Sequence, residues 1–202
     1  MHGHAGPDRL NATMIGLVTT AGQISMTVPM MFGQPVFVLG GTASAATLWL
    51  PRDHRVLTAR ADEIVEALTG LRLAPRALLA ILSGCVGQSP VMTGSTLYGR
   101  LGAITSDDAR VFVERRDDRW RVTRGLAGGL IIEYRDIQGD WPRALRLTTD
   151  AGRTPAVDLT LTLDQIEVNV THAAREFVVN VTPDATAMSL DDLRAAGPLR
   201  GK

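Results

Sequence analysis

The chain has 202 residues, a length at which one large domain or two small ones can bury a substantial core. Basic and acidic residues number 21 each, so the formal net charge is zero, and a nucleic-acid partner is not expected without an excess of basic residues. The composition, 45% hydrophobic and 21% charged, excludes a disordered chain, and the single cysteine excludes an intrachain disulfide.

Apolar and polar residues alternate with a period of two through most of the chain, which predicts antiparallel strands with one buried face. In chain order the predicted strands are 13–19, 23–28, 35–39, 45–50, 55–59, 101–105, 110–115, 119–124, 130–135, 143–148, 159–163, 166–170 and 177–181. Clusters of Gly, Pro and Asp separate them as turns. The pattern therefore predicts a mainly β protein, a large curved sheet or a barrel of about 10–12 short strands.

Two helices are predicted to interrupt the strands within residues 61–84. The first has acidic residues in its opening turn and ends at Gly70, and the second can begin at Pro75. Because a sheet must hide its apolar face, we expect this pair to cover the sheet as a lid.

Residues 85–98 are rich in Gly, Pro and Ser and are predicted to form a mobile loop. A short C-terminal helix is expected at 190–196, with Ser189 as its N-cap. No linker divides the sequence, so residues 1–202 are interpreted as a single domain.

Aromatic residues make up only 4% of the chain, so its interior must be filled by aliphatic side chains. A strongly curved sheet offers more concave area than two short helices can fill, which favours an aliphatic cavity. The alternative is ordinary close packing, with each of these residues in a filled core. The candidate cavity residues are Ile24, Met26, Val28, Val36, Val38, Ile64, Leu68, Leu78, Leu82, Leu159, Leu161, Leu163, Ile166, Val168 and Val170.

The order of several motifs points to a known family. A strand reaching Pro29–Gly33 is followed by Ala45–Pro51, and then by L-T-G at Leu68–Gly70, L-x-P at Leu73–Pro75 and a helix ending in L-x-G at Leu82–Gly84. Together they resemble the LolA/LolB superfamily of bacterial lipoprotein and lipid carriers, and within it most closely the outer-membrane lipoprotein receptors. The segments 163–169 and 177–190 are similar to the closing strands of the wider superfamily.

The resemblance implies an incomplete antiparallel β-barrel, or half-barrel, capped by helices around a hydrophobic cavity. It implies binding of lipoprotein acyl chains or another lipid, with no reaction catalysed and no cofactor. The implied partners are a second carrier protein and the outer-membrane surface, the implied location is the bacterial periplasm or the periplasmic face of the outer membrane, and a monomer is expected. Residues 1–4 lack the features of an export signal, so this expectation leaves the signal and any lipid anchor outside the given sequence.

Met30, Met31 and Phe32 match the apolar turn that such receptors expose toward a membrane, and they are predicted to insert into a bilayer surface. The alternative is burial at the end of a strand.

Other chemistry is not indicated. His54 and His172 are far apart in the sequence, His2 and His4 lie in an N-terminal segment that is expected to be mobile, and no metal-ligand spacing is present. Cys85 is expected to be a small buried apolar residue, since its neighbours supply no activating charge. Two alternatives remain open: a lipocalin-like binder of small hydrophobic ligands or a structural envelope protein on the same scaffold, and an enzyme built around Cys85.

Overall fold

The computed structural model describes residues 1–30, 32–86, 91–97, 100–105, 109–116, 118–150, 152 and 154–200. The protein is mainly β, as predicted, with two sheets and a few short helices. Within the described residues neither sheet closes into a barrel. By the density of its contacts the chain divides into two compact units.

The elements follow one another along the chain in this order: β1 (His2–Ala5), β2 (Asp8–Asn11), β3 (Ile15–Val18), β4 (Gln23–Val28), β5 (Phe37–Thr42), β6 (Ala46–Leu50), β7 (Arg55–Ala59), α1 (Ala61–Thr69), α2 (Pro75–Leu82), β8 (Val91–Leu97), β9 (Arg100–Thr105), β10 (Arg110–Arg116), β11 (Arg119–Ala127), β12 (Leu130–Gln138), β13 (Trp141–Thr149), β14 (Val157–Thr162), a 3-10 helix (Ala174–Phe177), β15 (Thr186–Ala187) and α3 (Leu190–Ala196).

The first unit contains residues 7–79 and the C-terminal residues from 167 onward. Its sheet has the strand order β15-β7-β6-β5-β4-β3, antiparallel except for the short parallel pair β15 and β7. Leu39 lies opposite Leu48, and Leu48 lies opposite Leu57, so the three share one face. All three are buried, and this face forms part of the unit's core.

Helix α1 follows from its apolar spacing. Ala61, Ile64, Val65 and Leu68 are buried, and positions i, i+3, i+4 and i+7 fall on one face of a helix. The helix ends at Gly70, whose φ of 75° is easily adopted only by a residue without a side chain and whose N–H donates to the Glu66 carbonyl. The two helices predicted within residues 61–84 and the one predicted at 190–196 are confirmed as α1, α2 and α3.

The second unit contains residues 2–6 and 80–166. Its strands are antiparallel and follow the order β1-β14-β13-β12-β11-β10-β9-β8, a meander completed by the N-terminal strand. Ile132 lies opposite Leu147 and Leu147 opposite Leu159, which forms an apolar face. On the other face the Arg146 guanidinium pairs with the Asp158 carboxylate at 2.6 Å. The alternation of apolar and polar residues in the sequence therefore places them on the apolar and the polar face of this sheet in turn.

Four local predictions are wrong. Residues 166–170 and 177–181 are not strands, because Gln165 and Asn169 have left-handed φ angles of 48° and 59° and Phe177 closes a 3-10 helix. The N-terminal residues were expected to be mobile but pair with β14 as β1. The loop predicted at 85–98 contains β8, while its residues 87–90 and 98 lie outside the described residues.

Candidate functional site

The fifteen predicted cavity residues are divided between the two units. Ile24, Met26, Val28, Val36, Val38, Ile64, Leu68, Leu78, Val168 and Val170 belong to the first unit, and Leu82, Leu159, Leu161, Leu163 and Ile166 to the second. Six of them are buried: Ile24, Val28, Ile64, Leu68, Leu78 and Leu159. Val168 and Val170 are 42% and 48% exposed, while the others are half-buried. Each unit therefore contains its own share of these residues.

The residues of β5 that share a face with Ile24, Met26 and Val28 differ by one position from those predicted. Met26 lies opposite Leu39, so Leu39 and the alternate Phe37 share the face of the predicted β4 residues. Val38 points to the other face, where it lies opposite Thr27 and Trp49, and Val36 precedes the strand. Since 36–39 are all apolar, alternation could not decide which residues face inward.

An apolar tip, defined here as Met30 and Phe32, lies in the loop between β4 and β5. The Val36 N–H donates to the Val28 carbonyl at 2.9 Å, which closes the loop at its base. Met30 is 42% exposed and Phe32 is 87% exposed, so the alternative of burial at a strand end is wrong for both. The third residue of the predicted membrane turn, Met31, lies outside the described residues.

A cationic side chain lies beside this tip. The Arg52 Nη2 is 2.6 Å from the Met30 sulfur, and Arg52 itself is exposed in the turn between β6 and β7. The surface therefore combines large apolar side chains with a positive charge, a composition suited to a lipid headgroup region.

The second unit has a cleft where its sheet forks. Strands β11 and β12 pair only from Ala127 opposite Leu130 to Arg124 opposite Glu133. Beyond that point β11 continues paired to β10, and β12 continues paired to β13, so the two hairpins separate. A β-bulge at Thr123 of β11, where the register with β10 shifts between Phe112 and Val113, and the positive φ of Asp136 in β12 accompany the separation.

The space between the hairpins, called here the fork cleft, has a volume of about 210 Å³. It is lined by Ser83, Gly84, Arg119, Trp120, Arg121, Val122, Tyr134, Ile137, Asp140 and Pro142. None of the predicted cavity residues lines it, and its charged side chains distinguish it from the aliphatic cavity that the sequence predicts. Sequence reasoning missed it because the lining comes from three separate segments with no shared motif.

Two polar contacts tie the hairpins together across the fork. The Arg119 Nη1 is 2.6 Å from the Asp140 Oδ1, and the Arg121 Nη1 donates to the Gly139 carbonyl at 2.5 Å. Trp120, between the two arginines, is 58% exposed. Because successive side chains of a strand point to opposite faces, Trp120 lies on the other face of β11 from Arg119 and Arg121.

A crossing segment, Ser83–Val86, packs on the apolar side of this unit. The buried Tyr134 hydroxyl donates to the Ile81 carbonyl at 3.1 Å, just before the segment. Burial raises the pKa of Tyr134, with a smaller contribution from Cys85. Val86 fits against Gly125, where a Cβ atom would lie 2.6 Å from the Val86 Cγ1. These two contacts hold the lining residues Ser83 and Gly84 in position.

The single thiol is exposed, so the expectation that Cys85 is buried is wrong. The His54 Nδ1 lies 2.8 Å from the Asp184 Oδ2, and the His172 Nδ1 lies 2.9 Å from the Glu176 Oε2. Both pairs are at partly exposed positions. Among the described residues no group of three or more His, Cys, Asp or Glu side chains is arranged to hold a metal ion.

The helices of the described residues lack the combination of length and apolarity needed to cross a bilayer. No protein-family model matches the sequence, and no curated protein gives a significant match.

Proposed function

We propose that this chain is a non-catalytic carrier or receptor that binds the acyl chains of lipoproteins or another lipid, in the bacterial periplasm or at the periplasmic face of the outer membrane. The observation that carries the proposal is the apolar tip. A phenylalanine that is 87% exposed at the end of a hairpin buries little surface in its own unit, and exposed apolar groups of this kind are typical of interaction sites.

The free energy gained by burying the apolar tip in a membrane is suited to reversible binding. Complete burial of a Phe or Met side chain is worth about 1.5–3 kcal/mol, so the exposed parts of Met30 and Phe32 would contribute about 2–4 kcal/mol together. That is less than a single myristoyl chain contributes, and one such chain gives only reversible membrane binding. A carrier that must leave the membrane after delivery needs this kind of weak attachment.

The half-barrel capped by helices is part of the same proposal. Such an enclosure would offer an acyl chain the aliphatic side chains of the sheet faces, and each buried methylene would contribute about 0.8 kcal/mol. Affinity would then rise with chain length and would need no charged contact. A second carrier protein would deliver or receive the lipidated substrate.

The lipid content of the protein tests the binding step. Protein purified from its native host without detergent should carry acyl lipids or acylated peptides that native mass spectrometry detects. Protein that contains no acyl species, and that takes up none from vesicles, would exclude the carrier function and leave the structural alternative.

Vesicle co-sedimentation tests the tip. The Phe32→Ser variant should bind phospholipid vesicles about tenfold more weakly, because a loss of 1.4 kcal/mol corresponds to a factor of ten. The matched control is Val178→Ser, which removes another exposed apolar side chain of the same unit, 63% exposed in the native protein. Equal losses in both variants would contradict a specific role for the tip.

A further inference from the structure

Arg143 is a charged residue on the apolar face of the second unit's sheet. Successive side chains of β13 alternate between the two faces, so Arg143 shares a face with Leu145 and Leu147, both of which are buried. The Arg143 carbonyl accepts a hydrogen bond from the Leu163 N–H at 2.7 Å, which extends the pairing with β14 by one residue and places Leu163 opposite Arg143. A guanidinium therefore lies where the alternation of the strand favours an apolar side chain.

The Nε of Arg143 has no hydrogen-bond partner in the part of the chain that the structure describes. The residue is half-buried, and this atom is shielded from solvent, so water does not replace the missing acceptor. Asp136 falls opposite Arg143 in β12, but its carboxylate accepts from the Gln138 Nε2 at 3.3 and 3.4 Å. On the other face, by contrast, Arg146 is paired with Asp158. A charge that is partly removed from water without a partner is unfavourable, so this position favours an anionic ligand.

We propose that this position binds a long-chain fatty acid, with the carboxylate on the Arg143 guanidinium and the alkyl chain on Leu161 and Leu163. The inference rests on the proposed function, because it names the kind of lipid that the carrier would hold.

Apolar surface lies directly beside the charge. Leu161 is opposite Leu145, and Leu161 and Leu163 follow each other on the same face. Both are half-buried, so each leaves part of its side chain available to the methylene groups of a ligand. An inorganic anion would gain only the ion pair, and an uncharged chain would gain only the apolar contact. A fatty acid gains both.

The form of the guanidinium also suits a carboxylate. It is planar and donates parallel N–H groups, which match the two oxygens of a carboxylate. Since the Nε is covered and the residue as a whole is half-buried, the carboxylate would approach the two Nη groups.

Isothermal titration calorimetry of the full chain with laurate and with 1-dodecanol, each below its aggregation concentration, tests the proposal. The two probes have the same number of carbon atoms, but only laurate is charged at pH 7. Laurate should bind about tenfold more tightly or better, and Arg143→Gln should weaken laurate binding about tenfold while changing 1-dodecanol binding by about twofold or less. The matched control is Arg124→Gln, which removes an exposed arginine opposite Glu133 on the polar face and should leave laurate binding unchanged.

Urea unfolding without lipid separates ligand binding from a structural role of Arg143. Arg143→Met keeps a long side chain and removes the charge, so the urea midpoint should equal or exceed that of the wild type. A lower midpoint would show that the guanidinium stabilises the fold and would overturn the proposal. Circular dichroism establishes that the variants are folded.

Other results would also overturn it. Equal affinity for the two probes, or unchanged laurate binding in Arg143→Gln, would exclude the carboxylate site and leave the carrier function standing. Displacement of laurate by an equal concentration of acetate would show a site for free anions instead. If neither probe binds, the proposed site is wrong, and the lipid content of protein from the native host decides separately on the carrier function.

Discussion

The contact between Gly125 and Val86 provides a sharp test of how the crossing segment is attached. The φ angle of Gly125 is not in the left-handed region, so an alanine would be compatible with the backbone there. The obstacle is the space: a Cβ atom would lie 2.6 Å from the Val86 Cγ1 and 2.8 Å from its Cβ. Gly125→Ala should therefore destabilise the protein by forcing Val86 off the sheet.

The expected cost follows from overpacking. Added methyl groups in a filled core cost about 1–3 kcal/mol, and we expect Gly125→Ala to fall in that range. Val86→Ala alone removes two buried methyl groups, which corresponds to about 1–2 kcal/mol. In the double variant the smaller side chain makes room for the new methyl, so its stability should be close to that of Val86→Ala alone.

Urea unfolding followed by tryptophan fluorescence measures these differences, because Trp120 and Trp141 both lie in the second unit. Equal m values with shifted midpoints would give the free energies of unfolding directly. The double-mutant cycle should show a favourable coupling of about 1–3 kcal/mol, equal in size to the cost of Gly125→Ala alone. If the two single effects simply add, or if Gly125→Ala costs less than about 0.5 kcal/mol, the crossing segment is not held by this contact.

Three further predictions concern charge and protonation. Burial would raise the pKa of Asp62, but hydrogen bonds and charges from Arg60 and Arg72 outweigh this effect and hold the pKa below its ordinary value of 3.8. Asp62→Asn should therefore lower the free energy of unfolding by about 1–2 kcal/mol at pH 7. Chemical denaturation should show that this loss becomes smaller as the pH falls below 4, because the carboxylate is then protonated. Because burial raises the pKa of Tyr134, the neutral phenol stabilises the fold up to pH 10, and this contribution declines at higher pH. Tyr134→Phe should lower the free energy of unfolding by about 1–2 kcal/mol at pH 7. Between pH 10 and 11 the variant should lose less stability than the wild type, because it has no phenol to ionise. Arg52→Gln should weaken binding to anionic vesicles but not to neutral ones, and a loss equal on both would contradict an electrostatic role.

The strands were predictable where a strand has a partner on each side. The predicted strands at 23–28 and 55–59 have the same bounds in the structure, since alternation there reflects one buried and one polar face. The same pattern at 166–170 is not a strand, because Val168 and Val170 are exposed and no pairing holds the backbone extended. An alternating sequence is compatible with a strand, but the strand forms only where a neighbouring strand pairs with it.

The candidate site was less predictable than the strands. The apolar tip could be identified because three consecutive large apolar residues stand beside a glycine. The fork cleft could not, since it depends on where the register of β11 and β12 ends and on the tie between Arg119 and Asp140, 21 positions apart in the sequence. Such contacts are consequences of tertiary structure and have no local signal.

The pairing of β1 with β14 has a consequence for biosynthesis. His2 lies opposite Thr160, so β1 must wait for a strand that is synthesised 158 positions later before it can join its sheet. Contacts of such high sequence separation slow folding, and until they form the open edge of β14 is available to other chains. A chaperone that protects this edge during synthesis or translocation would therefore raise the yield of native protein.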